Sequence, residues 1–226
     1  MGTRGLSGAG GELMELYEQY RPKQWAELIG HEKALAKLAL LRKRGLGGRK
    51  LMIVGNPGTG KTTMARLIAA ELSTEKVDDM EIDAKDLDVP AMKEIERGWQ
   101  YLGWGKPGRV TIINEAHGLR PSVVTHLLTV MERMPRHVTL IYTTSSELTA
   151  KLGETEQEQK MFLSRCNILS LDRQGLAQKF AQRAYEIAHK EGMNGRPGNG
   201  YLQLARDCGN NLREMLDRIE EGAMLP

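Results

Sequence analysis

Short runs of apolar residues recur along the chain and alternate with stretches of helical periodicity. Three clear runs and two weaker ones are Leu51–Val54, Val110–Ile113, Val138–Tyr142, Met80–Ile82 and Ile168–Leu171. A short run that is apolar at nearly every position is typical of a strand buried on both faces of a parallel sheet. We therefore predict five strands in the core of the protein.

Helical patterns fill the intervals between these runs. The predicted helices are Glu12–Tyr20, His31–Arg44, Thr62–Leu72, Val89–Tyr101 and Val123–Met134. Because strands that alternate with helices indicate βαβ units, the predicted fold class is α/β with a doubly wound parallel sheet.

The pattern changes after Asp172. Two charged amphipathic helices, Gln174–Glu191 and Leu202–Glu221, are predicted there, separated by the Gly/Pro/Asn-rich segment Gly192–Gly200. We therefore expect an α/β domain at 15–172 and a small helical domain at 173–226. A flexible, glycine-rich leader is expected at 1–14.

Composition narrows the class of protein. The chain has 226 residues, of which 40% are hydrophobic, and its formal net charge is +3. This balance excludes a mainly disordered chain, and no apolar stretch in the sequence is long enough for a transmembrane helix. The two cysteines, Cys166 and Cys208, are too few for a disulfide framework or a four-thiolate zinc site. Since the first residues also lack the apolar core of a signal peptide, we expect a cytoplasmic protein that does not contact membranes.

The segment Gly55–Thr62, which we call the phosphate loop, matches the pattern G-x-x-x-x-G-K-[ST] in full. Its glycines let backbone N–H groups curl around phosphate oxygens, and the N-terminus of the following helix adds a favourable dipole. Lys61 is expected to contact the β- and γ-phosphates, and Thr62 to offer its hydroxyl to Mg²⁺. The predicted phosphate-binding residues are Gly55, Asn56, Pro57, Gly58, Thr59, Gly60, Lys61, Thr62 and Thr63.

A second acidic site follows the run Val110–Ile113. A Walker B strand normally ends in Asp-Glu, where the aspartate holds Mg²⁺ and the glutamate orients the attacking water. Here Glu115 is present, but Asn114 occupies the aspartate position. An amide lacks the negative charge that favours a hard cation, so we expect weaker Mg²⁺ binding. Three explanations remain open: a low-turnover ATPase, a nucleotide-binding subunit without turnover, or an engineered substitution.

With these motifs in place, the chain resembles AAA+ ATPases, and among them the clamp-loader ATPase subunits of replication factor C, of phages and of the bacterial tau/gamma type. The resemblance extends from Tyr20 to about Glu221. It implies a P-loop NTPase core with a C-terminal helical lid, and ATP and Mg²⁺ as cofactors. The adenine-contacting residues that it implies are Tyr20, Arg21, Pro22, Ile29 and Gly30.

The resemblance also implies roles for three residues outside the phosphate loop. Thr144 falls at the polar position of the sensor 1 segment, and Ser164-Arg165-Cys166 matches a clamp-loader motif whose arginine enters the site of the neighbouring subunit. Arg213 matches the sensor 2 arginine of the lid. The catalytic candidates are therefore Lys61, Glu115, Thr144 and Arg165, and the metal candidates are Thr62 and Asn114.

The function that the resemblance implies is ATP hydrolysis, slowed by Asn114 and coupled to assembly on DNA or a sliding clamp. Other AAA+ subunits, a sliding clamp and primed DNA are the expected partners. Two alternatives remain: a branch-migration-like AAA+ DNA motor, and a nucleotide-dependent scaffold with little or no hydrolysis. The polar segment Leu148–Met161 is longer than the family pattern leads us to expect, so it could displace Arg165 or become ordered only against a neighbour.

Overall fold

The computed structural model describes residues 14–76, 80–102, 105–149, 152–172 and 175–226. Its strands are β1 Lys50–Gly55, β2 Glu81–Asp83, β3 Arg109–Asn114, β4 Val138–Thr144 and β5 Asn167–Leu171. They form one parallel sheet in the order β2-β3-β4-β1-β5. The five predicted strands and the α/β fold class are thus confirmed.

Nine α-helices are found in the described part of the chain. They are α1 Leu16–Gln19, α2 Glu32–Lys43, α3 Lys61–Leu72, α4 Val89–Gly98, α5 Pro121–Arg133, α6 Glu156–Ser164, α7 Leu176–Lys190, α8 Gly198–Asp207 and α9 Leu212–Glu220. None of these helices is both long and apolar enough to cross a membrane.

Helices cover both faces of the sheet because neighbouring strand residues point in opposite directions. Met52 and Ile113 pack into a cluster with α4, α5 and α6, whereas Ile53 and Ile112 pack with α2 and α3 on the other face. This alternation explains why the strand runs are apolar throughout.

The lid helices, α7, α8 and α9, share a separate hydrophobic cluster. The short helix α1 joins this cluster through Leu16, although the prediction places it with the α/β domain. The boundaries of the two predicted domains themselves remain a prediction.

The single helix predicted at Leu202–Glu221 is wrong, because the structure has two helices there. Gly209 and Asn210 both adopt the left-handed conformation, with φ of 56° and 58°, and end α8. Asn211 then caps α9 by accepting a hydrogen bond from the Glu214 backbone N–H at 3.3 Å. Two consecutive left-handed residues cannot continue a right-handed helix, so the chain turns at this point.

The polar segment before Arg165 is ordered against the same chain. Thr155 and Glu158 form a capping box that starts α6. Phe162 of α6 is fully buried and packs edge-to-face on Tyr142 of β4, with ring centroids 5.0 Å apart. The expectation that this segment becomes ordered only against a neighbour is therefore wrong for the described residues 152–164.

Candidate nucleotide-binding site

The phosphate loop connects β1 to α3 and adopts a conformation that its glycines permit. Gly58 and Gly60 have φ of 73° and 88°, a region that L side chains rarely adopt. Lys61 begins α3, so the N-terminal backbone N–H groups of this helix are available at the loop. The loop is therefore shaped to hold an anion.

A cleft of about 280 Å³ opens beside the phosphate loop, between the segment 17–29 and the lid helices. We call it the nucleotide cleft. The predicted site residues that line it are Tyr20, Arg21, Pro22, Ile29, Pro57, Gly58, Thr59, Gly60, Lys61, Thr62, Thr63, Glu115 and Arg213. Residues from the phosphate loop, the N-terminal segment and the lid helices thus meet around one space.

Three predicted nucleotide-binding residues, Gly30, Gly55 and Asn56, do not line the cleft but pack against the segments that do. The Asn56 carbonyl oxygen accepts hydrogen bonds from Thr59 Oγ1 at 2.8 Å and from Lys61 Nζ at 3.2 Å. Gly55 lies against Leu171, and Gly30, with φ of 79°, allows Leu176 to approach closely. Their contribution is to the shape of the loop and of the adjoining segment.

Apolar side chains from the segment 17–29, α7 and α9 also line the nucleotide cleft. They are Leu28, Ile29, Phe180, Ile187, Leu212 and Leu216. The Tyr20 ring lies in the same region, and its hydroxyl donates to Glu191, which raises the pKa of Tyr20. An apolar pocket with one aromatic side is suited to a flat heterocycle such as adenine.

Arg213 reaches the nucleotide cleft from the N-terminal turn of α9. Its Nη2 donates to the Tyr17 hydroxyl at 2.7 Å, and its guanidinium lies 3.9 Å from the centroid of the Tyr17 ring. Tyr17 therefore holds Arg213 at the edge of the cleft through a hydrogen bond and a cation–π contact.

On the other side of the phosphate loop, Asn114 is the centre of a polar cluster. Its Oδ1 accepts from Thr62 Oγ1 at 3.3 Å and from Thr143 Oγ1 at 2.9 Å. Its Nδ2 donates to Glu81, whose other carboxylate oxygen pairs with Arg66 Nε at 2.6 Å. The Asn114 atom that faces Thr62 is its oxygen, and oxygen ligands fit a hard cation such as Mg²⁺.

Glu115 adopts the left-handed conformation, with φ of 50° and ψ of 50°, directly after β3. Its backbone N–H donates to Thr143 Oγ1 at 3.2 Å, and its carboxylate Oε2 lies 3.3 Å from His117 Nδ1. A non-glycine residue in this region is uncommon and is often found at active sites. The turn directs the Glu115 side chain into the nucleotide cleft.

Thr144 is fully buried and does not line the nucleotide cleft. Its hydroxyl lies 3.3 Å from His117 Nδ1, so it contacts the cleft through the His117–Glu115 pair. Its neighbour Thr143 is the β4 residue that bonds to Asn114 and to the Glu115 backbone. The sensing role of Thr144 remains a prediction.

Arg165 lies at the far end of the sheet from the phosphate loop. In the parallel pairing of β5 with β1, Leu51 pairs with Asn167 and Gly55 with Leu171. Arg165 precedes this register, so roughly 13 Å of strand or more separates it from Gly55 at about 3.3 Å per residue. Its guanidinium donates to the Met161 carbonyl at 2.9 Å and pairs with Glu132 at 2.5 Å. Arg165 therefore cannot reach the nucleotide cleft of its own chain in this arrangement.

His31 fixes the phosphate loop from α2. It has a φ of 65°, is 6% exposed, and its Nε2–H donates to the Thr59 carbonyl at 2.8 Å. Burial lowers the pKa of His31 below its usual value of 6.5, so the ring is neutral at neutral pH.

Four residues of this site were not predicted from the sequence: Tyr17, Glu81, Thr143 and Asn211. Glu81 carries the clearest signal, because it interrupts the apolar run Met80–Ile82 and a charged residue in a buried strand needs a partner. Asn211 lies so close to Gly58 that a Cβ there would be 1.6 Å from the Asn211 amide oxygen. No sequence pattern that we used indicates this contact, because it joins two distant parts of the chain.

The segment 99–102, which follows α4 and contains Trp99 and Tyr101, is partly buried and partly exposed. Trp99 is buried in the core, while Tyr101 and Leu102 are 68% and 60% exposed. Trp104 lies outside the described residues.

Sequence comparisons find relatives among DNA replication and recombination proteins. DNA polymerase III subunit gamma/tau of Mycobacterium tuberculosis is 27% identical over 156 residues, which cover 58% of this chain and 27% of the relative. The subunit of the same name in Mycoplasma pneumoniae is 25% identical over 229 residues, 91% of this chain and 32% of the relative. Holliday junction branch migration complex subunit RuvB of Chlorobaculum tepidum is 31% identical over 119 residues, 51% of this chain and 32% of the relative. This chain thus matches about a third or less of the length of these relatives.

Solved structures share the fold. The Thermotoga maritima RuvB Holliday junction branch migration motor aligns with a TM-score of 0.66 and 22% identity, over 89% of this chain and 64% of that chain. Cdc6p from Pyrobaculum aerophilum aligns with a TM-score of 0.61 and 14% identity, over 92% of this chain and 64% of that chain. At these identities the likeness establishes the fold, which is the P-loop fold of AAA+ proteins.

The family model for the AAA proteins, the ATPase family associated with various cellular activities, matches residues 51–165. This match runs from the start of the strand before the phosphate loop to Arg165. It covers about half of the chain, so this protein belongs to the AAA family.

Proposed function

We propose that this chain binds ATP with Mg²⁺ in the nucleotide cleft and hydrolyses it slowly, as a clamp-loader-type subunit. Its proposed partners are other AAA+ subunits, a sliding clamp and primed DNA. The observation that carries the proposal is that Lys61, Glu115 and Arg213, from three separate parts of the chain, line one cleft. The two relatives named DNA polymerase III subunit gamma/tau support the clamp-loader assignment.

In this proposal the phosphate loop holds the triphosphate. Backbone N–H groups of the loop and of the first turn of α3 bind phosphate oxygens, and Lys61 contacts the β- and γ-phosphates. Thr62 and Asn114 would hold Mg²⁺, which when bound neutralises charge on the phosphates. The apolar lining formed by the lid and the N-terminal segment receives the adenine.

Glu115 is the proposed base. Its carboxylate accepts a proton from the water that attacks the γ-phosphorus, while the bond from phosphorus to the bridging oxygen breaks and ADP leaves. The His117–Glu115 contact of 3.3 Å restrains this carboxylate. Because Asn114 brings no charge of its own to the metal side, we expect slow turnover.

Arg165 is proposed to act in the nucleotide cleft of a neighbouring subunit. Its separation from its own cleft supports action in trans, and its ion pair with Glu132 would have to open first. A guanidinium suits this role because it is permanently charged and can make two parallel hydrogen bonds.

Steady-state phosphate release by the purified protein tests the enzymatic part of the proposal. We expect slow release that rises when primed DNA and a sliding clamp are added, and no release from Glu115→Gln. The Glu115→Gln variant should still bind ATP, because it keeps the phosphate loop. ATP binding and assembly by the parent without any phosphate release would support the scaffold alternative and contradict hydrolysis.

A mixing experiment tests the trans role of Arg165. Lys61→Ala keeps Arg165 but should bind ATP roughly 10- to 100-fold more weakly and lacks the lysine that contacts the γ-phosphate, whereas Arg165→Ala should bind ATP normally but lacks the arginine. Each variant alone should be far less active, since an arginine finger contributes roughly 10³-fold or more to turnover. If Arg165 acts in trans, the mixture should recover part of the activity. No recovery, despite mixed assembly, would exclude the role.

A branch-migration-like motor is the second candidate. The RuvB relative at 31% identity and the RuvB structure with a TM-score of 0.66 favour it. Stimulation of phosphate release by a four-way DNA junction, but not by primed DNA with a clamp, would favour this candidate over the clamp-loader type.

A further inference from the structure

We propose that Glu81 is a positioning residue for the metal side of the nucleotide cleft, where its carboxylate orients the Asn114 amide. This inference rests on the proposed function, because it concerns how the same site receives Mg²⁺. It begins from the hydrogen bond that Asn114 Nδ2 donates to Glu81.

An asparagine side chain can present either of two chemically opposite ends. An ionised carboxylate is only an acceptor, so Glu81 accepts the NH₂ end of Asn114 and excludes the reverse orientation. The Asn114 oxygen therefore faces Thr62 and Thr143, whose hydroxyls donate to it at 3.3 and 2.9 Å. Without this selection, Asn114 could turn its N–H groups toward the place where a cation is expected.

Arg66 makes the selection strict. It occupies the second oxygen of Glu81 at 2.6 Å, while the first oxygen faces Asn114. A glutamine at position 81 would therefore give its amide oxygen to Arg66 and its NH₂ to Asn114. Asn114 would then have to reverse, and its own NH₂ would point at Thr62.

The pair also redistributes charge. Glu81 and Asn114 together carry one negative charge, but the Arg66 guanidinium, 2.6 Å from Glu81, offsets much of it, so the pair is not equivalent to an aspartate in the Asn114 position. The Glu81 side chain is 16% exposed, so water weakens its field less than it would at the surface. The Glu81 carboxylate accepts a hydrogen bond from the Asn114 NH₂ group. This bond polarises the amide, so the Asn114 oxygen becomes a better metal ligand.

This arrangement changes what Asn114→Asp should do. In the parent, the Asn114 NH₂ group donates to the Glu81 carboxylate. In Asn114→Asp, two carboxylates would face each other without a hydrogen bond, and their like charges would repel. In the double variant Glu81→Gln/Asn114→Asp, the glutamine NH₂ can donate to the aspartate while its oxygen still accepts from Arg66. The double variant keeps the charge of the pair and restores the match between donor and acceptor.

The first measurement is the Tm of the four proteins without metal and without nucleotide. We expect each single substitution to lower Tm and the double variant to recover most of the loss. The two changes are then strongly non-additive, as expected for residues in direct contact. If the two single losses simply add in the double variant, the coupling is absent and the proposal is overturned.

The second measurement is the Mg²⁺ concentration that half-saturates the Mg²⁺-dependent binding of a non-hydrolysable ATP analogue. Glu81→Gln should raise this concentration roughly tenfold or more, the usual cost of losing an outer-shell partner of a metal ligand. Binding without Mg²⁺ should be unchanged. Arg66→Gln is the matched control, because it removes the ion pair but leaves Glu81 to accept from Asn114, so it should lower Tm without raising the Mg²⁺ requirement.

An unchanged Mg²⁺ requirement in Glu81→Gln, or an equal rise in Arg66→Gln, would overturn the positioning role while leaving the proposed ATPase function intact. If instead the parent binds no adenine nucleotide, the proposed function fails. The Tm comparison on the metal-free protein then decides separately whether Glu81 and Asn114 are coupled.

Discussion

The two sides of the nucleotide cleft are built in different ways. The phosphate loop is one continuous stretch of eight residues, Gly55–Thr62, whose shape follows from its own glycines. The metal side is assembled from three strands, with Glu81 from β2, Asn114 from β3 and Thr143 from β4. A motif whose residues are adjacent in sequence can be recognised without the fold. A cluster whose residues come from different strands cannot, because those residues become neighbours only in the sheet.

This difference also determines how each side should respond to substitution. Changes in the phosphate loop should act directly on the ligand or on the backbone of the loop. A substitution on the metal side should also alter the orientation of neighbouring side chains, because Asn114 is hydrogen-bonded to both Glu81 and Thr143. Four predictions test this contrast.

The largest expected effect is on the phosphate loop. Lys61→Ala should weaken ATP binding by roughly 10- to 100-fold, since a hydrogen bond to a charged group contributes about 1.5–3 kcal/mol. Calorimetry of ATP binding checks this, with Lys85→Ala as a control for loss of a lysine, because the Lys85 side chain is 72% exposed and lies outside the cleft. Equal affinity in Lys61→Ala and the parent would mean that the loop does not bind the triphosphate as proposed.

On the metal side, Thr143→Val should lower the free energy of unfolding by about 1–3 kcal/mol, because the partly buried Glu115 N–H loses its acceptor and Asn114 loses a donor. It should also slow phosphate release, since Asn114 loses one of its donors. The matched control is Thr139→Val on the same strand. The buried Thr139 hydroxyl donates a hydrogen bond of 3.1 Å to the Leu46 carbonyl, and Thr139 does not line the cleft. We expect Thr139→Val to destabilise without slowing phosphate release, and equal slowing in both variants would contradict the assignment.

A smaller effect is expected where the lid meets the phosphate loop. Gly58→Ala imposes a side chain at φ 73° and brings Cβ within 1.6 Å of the Asn211 amide oxygen. The left-handed conformation alone costs roughly 1–2 kcal/mol, which corresponds to a Tm lower by about 2–8 °C in a chain of this size. Gly98→Ala serves as the control, because nothing lies within 4 Å of its added Cβ and its φ is not in the left-handed region. A Tm loss of the same size in both variants would show that the loop conformation is not responsible.

The smallest effect concerns pH. Burial lowers the pKa of His31 in the folded protein, so folding favours the neutral ring. The contribution to stability is complete above the unfolded pKa near 6.5 and is lost as the pH falls through the lower folded pKa. Glu32 and Asp172 oppose the shift and Lys179 supports it, but burial is the largest cause. Unfolding curves from pH 7.5 downwards should show a loss of stability that is weaker in His31→Gln, whose side chain does not titrate. A parallel pH dependence in both proteins would assign the loss to other groups.

The strands β1, β3 and β4 could be predicted from sequence because each is an apolar run that is buried on both faces. The strands β2 and β5 are only partly buried, and their runs give a weaker signal. The break between α8 and α9 was missed, because the helical polar pattern of Leu202–Glu221 continues across Gly209 and Asn210, although Gly and Asn are the residues that most readily end a helix. Its cause is backbone geometry, since two left-handed residues follow each other there. At this point the conformational preference of Gly and Asn was the better guide and the periodic pattern the weaker one.

The candidate site shows the same division. The sequence identified Lys61, Thr62 and Glu115 by their position in motifs, and the structure brings all three to one cleft or its edge. No sequence pattern indicated a hydrogen-bond partner for Asn114, because Glu81 lies 33 residues away along the chain and on a different strand. The sequence also could not decide that Arg165 lies far from its own phosphate loop, which depends on the register of β5 against β1.

The amino-acid sequence by itself determined the phosphate loop and the alternation of strands and helices, because both depend on residue types at fixed local spacing. Only the tertiary structure decided which acceptor faces the Asn114 amide, where the lid touches Gly58, and which end of the sheet carries Arg165. These features depend on the order and register of the strands, and side chains far apart in the chain become neighbours only when the sheet has formed.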